Sequence, residues 1–203
     1  MSDIVIRRIG RTDFVPAWRA MQRFTAERTA QTPDELWLTE HPPVFTQGLA
    51  GKPEHLLRDL GIPVVNIDRG GQVTYHGPGQ ALVYLLLDLT RRGLKVRQLV
   101  HRIEQAVIDL LAGCGLRGER LAGAPGVYVD GAKVAALGLR VRGGCCYHGV
   151  SLNVDMELAP FSAINPCGYP GLKVTQLRDL GAADGWEAAG EKLLAQLKRQ
   201  IEL

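Results

Sequence analysis

The side chains best suited to chemistry lie in three separated places. Cys167 sits in Ile164-Asn165-Pro166-Cys167-Gly168-Tyr169-Pro170-Gly171, between a proline and a glycine. A thiol on such a turn is more accessible, and more often reactive, than one inside an apolar run. Lys133 opens a stretch otherwise built from small and apolar residues, Val134 to Leu139. It is either an exposed edge lysine or an ammonium aimed into a site. The third place is Arg69-Gly70-Gly71-Gln72-Val73-Thr74-Tyr75-His76-Gly77-Pro78-Gly79-Gln80. Its glycines and proline turn the backbone tightly and let it approach a ligand. Arg69, Gln72, Tyr75 and His76 supply a cation, an amide, a phenol and an imidazole. A free thiol is only slightly ionised at neutral pH, and a nearby ammonium would stabilise its thiolate. Together these groups suggest nucleophilic catalysis. The glycine stretch also reads as a turn against a core strand, with His76 in a structural hydrogen bond. Its spacing matches neither a dinucleotide fingerprint nor a Walker loop. Nothing in the spacing brings Cys167 and Lys133 together.

The elements that must position these groups follow from pattern. Ile4–Ile9 reads as a strand. Asp13 caps a helix to about Thr29, with Phe14, Trp18, Met21 and Thr25 on one face. Asp34–Thr39 is a strand, and Glu40-His41-Pro42-Pro43-Val44-Phe45-Thr46-Gln47-Gly48 is an extended turn, because two prolines bar a helix. His41 in that turn reads as structural. Residues 54–60 form a short helix. Pro63–Asp68 is a strand delivering the glycine stretch, Gln72–Tyr75 is a short β-favouring piece, and the apolar run Ala81–Leu89 is the strand leaving it. Val96–Ala112 is an amphipathic helix with Val96, Leu99, Val100, Ile103, Val107, Leu110 and Leu111 in one stripe. Val127–Val129 and Lys133–Val141 form a hairpin across Asp130-Gly131, the favoured two-residue turn. Ala135, Ala136 and Gly138 leave room for a ligand along its second strand. Cys145–Val154 alternates as a strand containing Gly149, and His148 there is a weak metal or base candidate. Thr175–Leu177 is a short element, and Trp186–Ile201 is a terminal amphipathic helix.

The chain has 203 residues, of which 46% are hydrophobic and 22% charged, ordinary values for one globular domain spanning 1–203. A net charge of +3 is too weak to argue for nucleic acid, but it suits an acidic protein partner. Arg91, Arg92, Lys95, Arg97 and Arg102 form the densest basic cluster. It is either a solvated face or a docking patch. The N-terminus has no apolar signal segment, and no run reaches membrane-spanning length. Cys114, Cys145, Cys146 and Cys167 therefore read as reduced thiols in a cytosol, and without a Cys-x-x-Cys pair a structural zinc site is not expected.

Three motifs resemble, in order, those of the octanoyltransferases of protein lipoylation. They are Arg69–Gln80; Gly131–Gly138 with His148-Gly149-Val150-Ser151-Leu152-Asn153; and Asn165-Pro166-Cys167-Gly168. Glu40–Gly48 is similar to a further segment of that family. The likeness runs from the first strand to about Leu180. It implies an α+β fold, a mixed β-sheet with flanking helices similar to the biotin/lipoate protein ligase catalytic domain. It implies that Cys167 attacks the thioester of octanoyl-acyl carrier protein, and that Lys133 lowers the thiol pKa. It implies acceptor lysines on lipoyl domains of 2-oxoacid dehydrogenase complexes and on the glycine cleavage H protein. Arg69, Gly70, Gly71, Gln72, Val73, Thr74, Tyr75, His76, Ala136, Leu137, Gly138, Gly149, Val150 and Ser151 would line the acyl site. No ATP, cofactor, nucleic acid or membrane is implied. Two features depart from the pattern: the Cys145-Cys146 pair, and Ala136, where some members carry serine. Two rivals stand beside this reading. One is an ATP-dependent lipoate or biotin ligase on the same scaffold. The other is a metal-binding protein using His76, His148 and Cys167.

Overall fold

The computed structural model describes residues 3–182 and 185–203, with Cys167 described by its backbone alone. In chain order the elements are β1 (Val5–Arg11), α1 (Phe14–Ala26), β2 (Glu35–Glu40), β3 (Val44–Gln47), β4 (Val64–Asn66), β5 (Val73–His76), β6 (Gln80–Asp88) and α2 (Val96–Gly113). There follow β7 (Glu119–Leu121), β8 (Ala124–Val129), β9 (Ala132–Arg142), β10 (Cys145–Asn153) and α3 (Trp186–Glu202). Single 3-10 turns occupy Pro53–His55, Ala159–Ala163 and Pro166–Gly168. A seven-stranded sheet runs β1-β2-β6-β10-β9-β8-β7, and a three-stranded sheet runs β4-β3-β5. Among the strands of the described residues β1/β2 and β3/β4 pair parallel and the others antiparallel, so both sheets are mixed. The expected α+β architecture of a mixed sheet with flanking helices is therefore present.

Strand β6 explains why its sequence is a continuous apolar run. Ala81, Val83, Leu85 and Leu87 enter one core with α2 and α3, while Leu82, Tyr84 and Leu86 enter a second core with Phe14, Trp18 and Met21 of α1. A strand covered on both faces has no polar side to show. A third core under the small sheet holds Phe45, Val73, Tyr75, Phe161 and Ile164. The hairpin turn is as expected, with Asp130 at φ 49° and Gly131 at φ 77°. Both left-handed values are what a tight two-residue hairpin turn requires.

Several expectations are corrected. Asp13 precedes α1 without capping it through its side chain, and the helix ends at Ala26 rather than near Thr29. Val44–Gln47 leaves the proline turn as a fully buried strand, because β-favouring residues with partners on both sides pair rather than loop. Residues 54–60 coil only through Pro53–His55. The chain then bonds outward, Leu57 N–H to Ala163 O at 2.8 Å, which fastens it to the segment before Cys167. The edge strand β7 was not expected. The basic cluster is partly consumed internally. Arg92 is buried against Asp34, which also holds Arg28 and Arg91. Arg102 donates to the carbonyls of Gln200 and Ile201 at the end of α3.

Gly149 marks where β10 presses on β6. A Cβ there would lie 2.0 Å from Val83 O, a backbone atom that cannot move aside. Gly149→Ala is expected to cost about 3 kcal/mol or more, lowering Tm by roughly 6–12 °C. Gly113→Ala, where a Cβ meets nothing within 4 Å, is the comparator and is expected to leave Tm unchanged or slightly raised. Paired thermal melts check both.

Candidate active site

A cleft opens between the α1 side of the large sheet and the glycine stretch. The space inside it, part of which is open to solvent, is about 550 Å³. One wall is Arg69, Gly70, Gly71, Gln72, Val73, Thr74 and His76; the other is Ala136, Leu137, Gly138, Gly149, Val150 and Ser151. The loop is fixed to both neighbours: Gly70 N–H donates to Leu139 O at 3.0 Å, and Leu49 N–H to Arg69 O at 2.9 Å. A Cβ on Gly48 would fall 2.4 Å from Gly71 O, and one on Gly138 would fall 3.0 Å from Arg69 Cδ. These glycines permit the close packing that keeps the wall rigid.

Tyr75 is not brought to the cleft. Strand alternation turns it into the third core, where its ring lies 5.5 Å from those of Phe45 and Phe161. It borders a separate groove with Pro78, Met156 and Trp186. Burial raises its phenol pKa. Cleft-lining residues beyond those read from the sequence are Phe14, Ile67, Leu82, Tyr84 and His148.

A directed chain of hydrogen bonds crosses the floor. Arg69 donates to Thr46 Oγ1 at 3.0 Å, and Thr46 Oγ1 donates to His76 Nε2 at 3.4 Å. His76 Nδ1 donates to Gln80 Oε1 at 2.7 Å, Gln80 Nε2 to Asn153 Oδ1 at 2.9 Å, and Asn153 Nδ2 to Thr175 O at 2.9 Å. Thr175 N–H in turn donates to Lys133 O at 2.9 Å. Burial pushes the His76 pKa down to about 3, so the ring is neutral at working pH and serves as a connector rather than an acid or base. His41 is equally fixed, its Nδ1 donating to Thr12 O at 2.5 Å and its Nε2 accepting from Tyr84 Oη at 2.6 Å. The structural role expected of it agrees with this geometry.

His148 departs from its strand. Alternation would send it to the helix face with Cys146 and Val150, but its φ of 64° turns it back toward the cleft. Its Nε2 lies 3.0 Å from Asp68 Oδ1. Asp68 also accepts from Trp18, Gln22 and Tyr147, and these four donors outweigh its burial and hold its pKa well below the usual carboxylate range. Left-handed backbone at a non-glycine residue costs about 1–3 kcal/mol and persists only where surroundings impose it; here Asp68 supplies the constraint. Among the described residues, no group of three or more His, Cys, Asp or Glu is placed to hold a metal ion.

Lys133 is buried, only 3% exposed. Its Nζ donates to Pro125 O at 3.1 Å and stands 5.2 Å from the Tyr128 ring centroid. It borders a small cavity with Thr74, Ala136, Ser151, Phe161 and Pro166. The first three of these also border the cleft. Pro166 begins the turn that carries Cys167, whose side chain lies outside the described residues. Gly126 makes room for the lysine side chain: at φ 132°, a Cβ there would sit 3.1 Å from Lys133 Cε.

Residues 13–198 match the model of the lipoyl protein ligase A/B catalytic domain. The chain is similar to the octanoyltransferase of Aromatoleum aromaticum, 65% identical over 198 residues that cover 98% of this chain and 86% of the relative. It is similar in fold to the bi-partite lipoate protein ligase of Thermoplasma acidophilum, TM-score 0.79 at 13% identity, over 100% of this chain and 85% of that one. It is also similar to the biotin protein ligase of Aquifex aeolicus, TM-score 0.57 at 11% identity, over 99% and 69%. The fold is thus that of the lipoyl protein ligase A/B catalytic domain. Within that class, the chain belongs to the octanoyltransferase family and is an acyltransferase.

Proposed function

We propose that the chain moves an octanoyl group from octanoyl-acyl carrier protein to a lysine of lipoyl domains through a thioester on Cys167. The observation that carries this reading is the buried Lys133 side chain, beside a cavity that is bounded by Pro166 of the Cys167 turn and shares Thr74, Ala136 and Ser151 with the cleft. A cation there lowers the thiol pKa and readies a thiolate. The thiolate attacks the thioester carbonyl, the C–S bond to Cys167 forms, and the carrier leaves as its thiol with a proton from the Lys133 ammonium. The acceptor amine then attacks the same carbon, the amide forms, and Cys167 is released as its thiolate. The Lys133 amine, left neutral by the first half-reaction, takes the proton that the acceptor amine sheds. The apolar wall of Leu82, Ala136, Leu137 and Val150 suits an alkyl chain, and the glycine backbone gives the carbonyl close approach. Thioester-to-amide transfer runs downhill, so ATP has no role. Lipoyl domains of 2-oxoacid dehydrogenase complexes and the glycine cleavage H protein are the acceptors, and the cytoplasm is the compartment in which these thiols stay reduced. No helix among the described residues is long and apolar enough to cross a membrane.

The test mixes the purified chain with a lipoyl domain and either octanoyl-acyl carrier protein without ATP or free octanoate with ATP. Octanoyl-lysine is expected in the first tube and not in the second. Product only in the second tube would make the chain an adenylating ligase.

A further inference from the structure

Around the Cys167 turn one polar atom has no counterpart. Gln72 Oε1 is buried and has no hydrogen-bond partner among the described residues. Buried acceptors are nearly always paired, and leaving one unpaired costs about 1–3 kcal/mol. Gln72 stands in the cleft wall and reaches the turn. A Cβ placed on Gly168 would lie 3.0 Å from Gln72 Cγ and 3.5 Å from its Cδ. The turn's other flank is His55, whose Nε2 lies 3.3 Å from that same point. Asn165 Nδ2 donates to His55 Nδ1 at 3.4 Å. With Nδ1 accepting, the ring N–H is on Nε2, which faces the turn as a donor. On this turn Gln72 therefore presents the acceptor and His55 the donor.

We propose that Gln72 Oε1 accepts an N–H of the acceptor lysine and so aims the amine lone pair at the thioester carbonyl on Cys167, an assignment that rests on the acyl-enzyme reading above. The neutral amine keeps one N–H on Gln72 while its nitrogen forms the C–N bond. The C–S bond to Cys167 breaks to leave the thiolate, and the surplus amine proton passes to the neutral Lys133 amine. Two N–H sources visit this turn in succession: the amides of the donor's thioester arm and the acceptor amine. Gln72 favours the amine. Its side chain closes on Gly168 itself, next to the acylated residue, where the attacking nitrogen must arrive. The nearest amide of a thioester arm lies several bonds beyond the departing sulfur.

The test separates the two half-reactions. Wild type, Gln72→Leu and Gln72→Glu are loaded with octanoyl-acyl carrier protein and the loading rate is read by intact mass. The acyl-enzymes are freed of donor and mixed with buffer alone or with a lipoyl domain. In Gln72→Leu the loss is expected to fall on aminolysis, beyond any change in loading or in hydrolysis. Its ratio of aminolysis to hydrolysis is expected to fall about ten-fold, the worth of one hydrogen bond. Gln72→Glu keeps an acceptor oxygen and is expected to restore most of that ratio. An unchanged ratio in Gln72→Leu overturns the assignment. Slowed loading with an unchanged ratio overturns it too, and gives Oε1 to the donor's arm. No adduct on wild type removes the acyl-enzyme reading, and this inference with it.

Discussion

Lys133→Met is expected to lower octanoyl transfer by about three orders of magnitude, within the range a positioned acid–base group supplies, while the protein stays folded. Methionine matches the length and volume of the lysine stem and fits the space Gly126 leaves. Burial of an ammonium costs solvation, so its removal leaves Tm unchanged or raises it. The loss must therefore be chemical. Without the cation the Cys167 thiolate is less favoured, and the pH profile of thiol alkylation should move to higher pH. An unmoved profile would reject the proposed coupling. An unmoved profile with lost transfer would reduce Lys133 to a proton carrier in the second half-reaction.

Cys167→Ser is expected to remove transfer by more than about three orders of magnitude, because a serine hydroxyl is almost un-ionised at neutral pH and has no thioester to exchange. The other thiols cannot stand in. Cys146 is buried, and its pKa is pushed up to about 12 chiefly by desolvation. Cys145 is also raised, first by burial and then by Asp88. Neither supplies useful thiolate at pH 7. Cys114→Ser, at the end of α2 and away from the cleft, should keep most of the activity. Steady-state transfer with each single variant checks the set, and a Cys167→Ser protein with wild-type rates would end the covalent reading.

Much of this architecture could be read in the chain because periodicity and glycine placement act locally. The run Ala81–Leu87 has one physical meaning, a strand covered on both faces, and the structure places it at the centre of the large sheet. The Asp130-Gly131 turn dictates a hairpin by its own backbone preference. The glycine stretch could be recognised as a cleft wall because its residue types serve a close backbone approach. What could not be read is tertiary. Tyr75 was grouped with its neighbours, yet alternation along Val73–His76 sends it into the third core, and only pairing with β3 fixes which face is which. His148 reads from the sequence as a weak metal or base candidate; a strand's period of two points it away from the site, and its left-handed backbone and its contact with Asp68 turn it back. Phe14 reads from the sequence as one residue of a helix face; it belongs to the second core and also borders the cleft. The signal that could have found Leu82 and Tyr84 was present. They alternate with the helix-facing residues of β6 and so share a face. The internal pairing of Arg91 and Arg92 could not be read either, because charge density says nothing of partners: Asp34 lies just before β2, far away in sequence.

The most direct measurement is intact mass after mixing the protein with octanoyl-acyl carrier protein in the absence of ATP, for wild type and for Cys167→Ser. One octanoyl group on wild type, removed by hydroxylamine or by added lipoyl domain and absent from Cys167→Ser, is the predicted result. Octanoyl transfer to the lipoyl domain with no adduct on wild type at any time, or an adduct that persists in Cys167→Ser, would contradict a thioester at Cys167.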